Sequence, residues 1–142
     1  MCSESERNNA TSPVFKNVDC VRFYVPDLKD GLKFYKDKLG LNIIWKTKSA
    51  IGLGMGDKKT EVVIQNEDKW QEVDIKVDSV LKAVEEIKDA GGRIVNGPFD
   101  IKIGKCAVIK DPWNNKYVIL DDSKGTFITD ENGNIIGQHK TN

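Results

Sequence analysis

The chain carries one run of residues twice, 52 positions apart, and this repeat limits its fold more than any other feature. Val25 matches Val77, Leu28 matches Val80, and Leu32 matches Val84. The pair Lys36-Asp37 matches Lys88-Asp89, and Gly40 matches Gly92. An alternating strand precedes each run. In the first, Cys20, Arg22 and Tyr24 share one side and Val21, Phe23 and Val25 the other; in the second, Glu72, Asp74 and Lys76 lie opposite Val73, Ile75 and Val77. Asp27 suits the N-cap of a helix with Leu28, Leu32, Tyr35 and Leu39 on one face, stopped by Gly40. Asp78 or Ser79 suits the cap of a second, with Val80, Val84 and Ile87 on one face, ended by Gly91-Gly92.

Three strand-like runs follow each helix: 42–47, 50–55 and 60–65 in the first copy, then 93–95, 105–109 and 116–121 in the second. The pairs Asp111-Pro112 and Asn114-Asn115 supply a turn before the last of them. The predicted fold is α+β: two tandem βαβββ units forming a cupped mixed sheet with the helices on its outer face. The opposite faces are then free to line a shared cleft. Residues 1–16, rich in Ser, Asn and Glu, read as a flexible lead-in. The body spans 17–122, with modules at about 17–66 and 70–122. In the tail, 123–142, Asn132-Gly133 between short apolar pairs predicts a hairpin, expected to pack peripherally with His139 exposed.

Composition removes several classes of function. Twenty-two basic and 22 acidic side chains leave a net charge of zero, so the basic excess of a nucleic-acid binder is missing. No apolar run approaches the roughly 20 residues that span a bilayer. The segment 1–13 has no apolar core and does not read as a signal peptide. Three widely spaced cysteines do not form a secreted disulfide framework, so cytoplasmic residence is the expectation. The single histidine, His139, stands at the end of the chain, which argues against most zinc and iron sites and against Ser-His or Cys-His nucleophile pairs.

The stretches VRFYVPDLKDGLKFYKDKLGL and VDSVLKAVEEIKDAGGRIV, followed by GKCAVIKDPWNNKYVILDD, resemble the vicinal oxygen chelate superfamily. That group includes glyoxalase I, extradiol dioxygenases, methylmalonyl-CoA epimerase and the bleomycin- and fosfomycin-resistance proteins. The resemblance covers roughly residues 17–122, and it speaks for the fold more than for any one reaction. It implies a divalent ion in the cleft, held by His or Gln from the first strand of each unit and Glu from the last. Carried over by position, the first-strand slots fall on Cys20 and Glu72. The last-strand slots fall on Val63 (Glu61 if the register is two off) and on Val118. None is histidine, and a valine binds nothing.

Each candidate has a plain reading beside a functional one. Cys20 is a soft ligand, a nucleophile, or a small apolar wall residue; Cys106 reads as wall, and Cys2 lies in the lead-in. Arg22, placed mid-strand, needs an anion, either from a ligand or from Glu72, Asp74 or Glu61. Glu72, Asp74 and Lys76 should face the cleft with Lys76 at its rim, and Glu72 and Glu61 are the candidate catalytic carboxylates. Tyr24, Trp45, Trp70 and Trp113 are candidates for stacking on a flat ligand or for core packing. The segment 96–105, NGPFDIKIGK, reads as a mobile cleft edge. GLGMG, with Gly52, Gly54 and Gly56, is not a phosphate loop because no helix follows it.

The expected function is small-molecule binding on this scaffold with a degraded metal site. The ligand would meet Cys20, Arg22, Tyr24, Glu61, Glu72, Asp74 and Val118, with no cofactor and no nucleic-acid or membrane partner. One rival is a lyase, isomerase or dioxygenase that holds a divalent metal on Glu61, Glu72 and Cys20. Another is a module whose main task is to pair with itself or another protein; a homodimer is the expected assembly in any case.

Overall fold

The structure is a computed structural model and describes residues 12–140. Strand β1 (Asn17–Tyr24) leads to helix α1 (Leu28–Leu32), capped by Asp27, which accepts the backbone N–H groups of Lys29 at 2.8 Å and Asp30 at 3.3 Å. The helix runs on as a π-helical turn, Lys33–Lys38, in which the N–H of Leu39 reaches back to the carbonyl of Phe34. Strands β2 (Asn42–Lys46), β3 (Ala50–Gly54) and β4 (Glu61–Gln65) complete the first unit. The second repeats the order with β5 (Glu72–Lys76), α2 (Val80–Asp89), β6 (Arg93–Ile101), β7 (Gly104–Lys110) and β8 (Lys116–Leu120). A hairpin of β9 (Gly125–Thr129) and β10 (Ile135–Lys140) follows.

The π turn accounts for a small mismatch between the units. The N-caps Asp27 and Ser79 are 52 positions apart, but the positive-φ glycines that end the helices, Gly40 and Gly91, are 51 apart. The first unit therefore holds one extra residue between cap and stop, and a π turn is how a helix takes one in.

The eight strands form one mixed sheet in the order β2-β3-β4-β1-β5-β8-β7-β6. Within each unit the first strand runs parallel to the last, and β1 and β5 join the units antiparallel at the centre. One face of the sheet is covered by helix. Ile51, Leu53, Val62 and Ile64 form a core with Leu28, Leu32 and Tyr35. Val80, Ala83 and Val84 of α2 pack with Val77, Ala107, Ile109 and Ile119 in a second. The opposite face holds only a small cluster, Cys20, Ala50 and Val63 against Trp45, and this is the face of the cleft.

Two expectations are corrected. The 96–105 segment does line the cleft at Ile101, Lys102 and Ile103, but the strand expected over 93–95 does not stop there, because β6 extends and pairs with β7 as far as Ile101. Pro98 is tolerated there because β6 is the outermost strand and its register shifts between Asn96 and Phe99. The hairpin forms as expected and leaves His139 exposed, but it does not pack peripherally. Its β9 side chains line the cleft, and it is tied to both margins of the sheet. Lys46 N–H, at the end of outer strand β2, donates to the carbonyl of Gly133, and Gln138 Nε2 donates to the carbonyl of Lys102 between β6 and β7.

Candidate functional site

Strand pairing sets the cleft side chains in rows. Cys20 sits beside Glu61 on β4 and Asp74 on β5, and Asp74 beside Val118 on β8. The neighbouring row places Arg22 between Val63 and Glu72. Two bulges add side chains that strict alternation would send elsewhere. On β1, Val18 pairs with Ile75 and Cys20 with Asp74, so Asp19 is the extra residue and joins Cys20 on the cleft face. On β2, Ile43 pairs with Leu53 and Trp45 with Gly52, which brings Ile44 onto that face beside Trp45.

The result is a cavity of about 430 Å³. Its floor is the central strands with Asp19, Cys20, Arg22, Glu61, Val63, Asp74 and Lys76. Ile44 and Trp45 form one wall, and Ile101, Lys102 and Ile103 the opposite one. The hairpin covers it with Thr126, Phe127 and Thr129, and Leu120 and Asp122 complete the lining.

The floor is crowded with acids. Cys20 Sγ donates to Asp74 Oδ2 at 3.4 Å, and the other oxygen of Asp74, Oδ1, is buried without a hydrogen-bond partner. Burial, with the Glu72 carboxyl close by, pushes the Asp74 pKa up to about 8. Burial likewise raises Glu61, with help from Asp19 and against the indole N–H of Trp45, which donates to Glu61 Oε1 at 2.6 Å. Asp19 is raised by burial, opposed by Lys76 and reinforced by Asp122. The two inner cations face other acids: Arg22 Nε lies 3.5 Å from Glu72 Oε2, and Lys76 Nζ 2.6 Å from Asp122 Oδ2. Burial and the Asp74 and Asp19 carboxyls raise the Cys20 thiol strongly, so it is held protonated and is not poised as a nucleophile. Cys106 is pushed up to about 11, first by burial and then by Asp74.

Of the residues singled out in the sequence, Cys20, Arg22, Glu61, Val63, Asp74 and Trp45 line the cavity, and Lys76 joins them. Glu72 stands outside the lining as the partner of Arg22, and Tyr24 and Val118 are outside it as well. Trp70 carries the Lys116 ammonium over its ring, and Trp113 is 79% exposed on the turn after β7. Cys2 lies outside the described residues. Sequence reasoning missed Asp19, Ile44, Asp122 and the three β9 residues. Bulges hide the first two, and the tail's two fastenings to the sheet leave no periodic signal. Among the described residues, no three His, Cys, Asp or Glu side chains are grouped to hold a metal ion. No helix there is long and apolar enough to cross a membrane.

The family model of the Glyoxalase/Bleomycin resistance protein/Dioxygenase superfamily matches residues 17–119. The chain belongs to this superfamily. A probable lactoylglutathione lyase of Synechocystis is 25% identical, over 70% of this chain and 90% of its own length. A probable chloroplastic lactoylglutathione lyase of Arabidopsis thaliana is 29% identical over 71% of this chain, which spans only 34% of that protein. Methylmalonyl-CoA epimerase of Mycobacterium tuberculosis shares the fold, with a TM-score of 0.67 over 82% of this chain and 94% of its own, at 12% identity. The superfamily match stops at residue 119, so the hairpin that roofs this member's cleft lies beyond it.

Proposed function

We propose that this superfamily member binds a small organic molecule in the cleft under its C-terminal hairpin, and that the metal site of its relatives has been lost. One feature supports the reading: carried over by position from the superfamily, the slots for the ion fall on Cys20, Val63 (Glu61 if the register is two off), Glu72 and Val118. Two of these offer no donor atom. Cys20 is a protonated thiol turned to Asp74, and Glu72 faces the Arg22 guanidinium. Such a donor set does not fit a divalent ion, which asks for imidazole, thiolate or carboxylate ligands converging on one point. The cavity itself has the size of a small-molecule site, with Ile44, Trp45, Ile101 and Ile103 in its walls and ionisable groups on its floor.

The test is elemental analysis of protein purified without chelator, combined with a thermal-shift screen of small aromatic and charged compounds. The expected result is no stoichiometric metal and at least one stabilising compound. Stoichiometric metal that disappears in Glu72→Gln would overturn the reading in favour of metal-dependent catalysis. Both curated relatives, as probable lactoylglutathione lyases, favour that second reading.

A further inference from the structure

We propose that the cleft takes an organic cation, a protonated amine, amidine or guanidine on a flat apolar body. This rests on the binding reading above and narrows it. Two independent observations carry it. First, the inner cations are already engaged, Arg22 with Glu72 and Lys76 with Asp122, while among the described residues no cation lies within ion-pair distance of Asp19, Glu61 or Asp74. Second, Asp74 lines the cavity at 7% exposure, and its Oδ1 is buried with no protein donor, the neighbouring Glu72 carboxyl being itself an acid. A buried carboxyl oxygen left unpaired is costly, and a ligand N–H is the partner it lacks.

The alternatives fit less well. An anion would meet the carboxyls of Asp19, Glu61 and Asp74 while Arg22 and Lys76 are held by Glu72 and Asp122, and the remaining lining cation, Lys102, is exposed in the turn between β6 and β7. A neutral ligand would leave the crowded acids as they are. A cation would let Asp74 ionise while keeping it out of water, and Trp45 and Phe127 would hold a flat body against the walls. Binding must then release protons, so affinity rises with pH. The charged and titratable groups packed around Asp74 are Cys20 and Arg22 from β1, its neighbour Glu72 on β5 and Cys106 from β7, and the same cleft floor also holds Asp19, Glu61 and Lys76, with Asp122 after β8.

Titration calorimetry of the full chain with three matched probes tests this: tryptamine, its alcohol tryptophol, and indole-3-acetate. At pH 8.5 tryptamine is expected to bind about tenfold tighter than tryptophol, with indole-3-acetate weakest. Its affinity should fall several-fold at pH 6.5, and its heat should depend on the buffer's ionisation enthalpy. Asp74→Asn should weaken tryptamine about tenfold and leave tryptophol within about twofold. Asp19→Asn, at a partly exposed position, should do the same to a smaller degree. Equal affinities, tightest binding of the acid, or no binding of tryptamine would overturn the cation and leave small-molecule binding standing if another compound stabilises the protein. Stoichiometric metal in the purified protein would instead sink the binding reading beneath it.

Discussion

The indole N–H of Trp45 donates to Oε1 of Glu61 at 2.6 Å, and the ring that carries it lies over Gly52. A Cβ at position 52 would stand 2.1 Å from Trp45 Nε1, so only glycine leaves room for the ring. This is the role of the first glycine of GLGMG. Gly52→Ala should push the ring off β3 and separate it from Glu61. A hydrogen bond to an ionisable partner contributes about 1.5–3 kcal/mol, so a loss of that order is expected in urea unfolding. Trp45→Phe, which keeps a ring without the N–H, should lose a similar amount. An unchanged unfolding midpoint in both variants would show that the contact holds nothing together.

Asp74 gives the fold a pH dependence of definite sign. Its carboxyl is raised to about 8 by burial and by Glu72, against an ordinary value of 3.8. The folded state therefore binds the extra proton between those values. The stability this provides is complete below about pH 4 and is lost as pH rises through about 8. The slope is at most about 1.4 kcal/mol per pH unit for one proton. Asp74→Asn should flatten the fall in melting temperature between pH 6 and 9, and above pH 8 the variant should melt higher than the wild type. Parallel curves for the two proteins would place the dependence on other groups.

Much of this was readable in the residues, and the failures have physical causes. Asp27 and Ser79 behave as caps, and the alternation of Val21, Phe23 and Val25 marks the helix-facing side of β1. Arg22 finds Glu72, one of the internal partners weighed for it. Periodicity, however, assumes an unbroken ladder. The bulges at Asp19 and Ile44 break it and turn both side chains into the cleft. The strand expected over 93–95 runs on to Ile101 because an edge strand tolerates the glycine and proline that lie beyond Val95. The hairpin's place over the cleft rests on hydrogen bonds from Lys46 and Gln138 to distant carbonyls, which no local pattern announces.

Asp121 is the polar joint between α2 and the second half of the sheet. Its Oδ2 accepts Val80 N–H at 2.8 Å, and its Oδ1 accepts Lys105 N–H at 2.9 Å and the Ser123 hydroxyl at 2.7 Å. Burial pushes its pKa up, yet these donors outweigh burial and hold it below the ordinary carboxylate value. Asp121→Ala removes the acceptor of three backbone N–H groups, those of Val80, Lys105 and Ser123, at about 1–3 kcal/mol for a buried one such as Val80. The stability gap should be largest at neutral pH and should narrow as acid protonates Asp121, that is, below about pH 4. Guanidinium titrations at pH 7 and pH 3.5 would show this, and a gap that does not change with pH would argue that lost packing dominates.

The hairpin should act as a roof and contribute little to the folding of the sheet. Neither helix-side core contains a residue from β9 or β10. The roof is held at Lys46 and Lys102, and its turn is fixed by Asp130, which accepts the backbone N–H groups of Asn132 and Asn134 and one from the Asn134 amide. The turn at Asp111 is built the same way, with Asn114 at positive φ where the hairpin has Gly133. Gln138→Ala removes donors to the carbonyls of Lys102, Lys124 and Gly125, and should cost about 1 kcal/mol while loosening the roof. Removal of the chain from residue 124 onward should leave a cooperatively folding sheet whose far-ultraviolet dichroism lacks only the hairpin's strands, but it should bare Trp45. Trp70 and Trp113 are already exposed, so the measurement belongs in a Trp70→Phe, Trp113→Phe background, where Trp45 is the sole reporter. Its emission should shift to the red and become more accessible to acrylamide on truncation, and partly so in Gln138→Ala. Unchanged emission would mean that Trp45 is shielded by the sheet alone and that the hairpin does not close the cleft in solution.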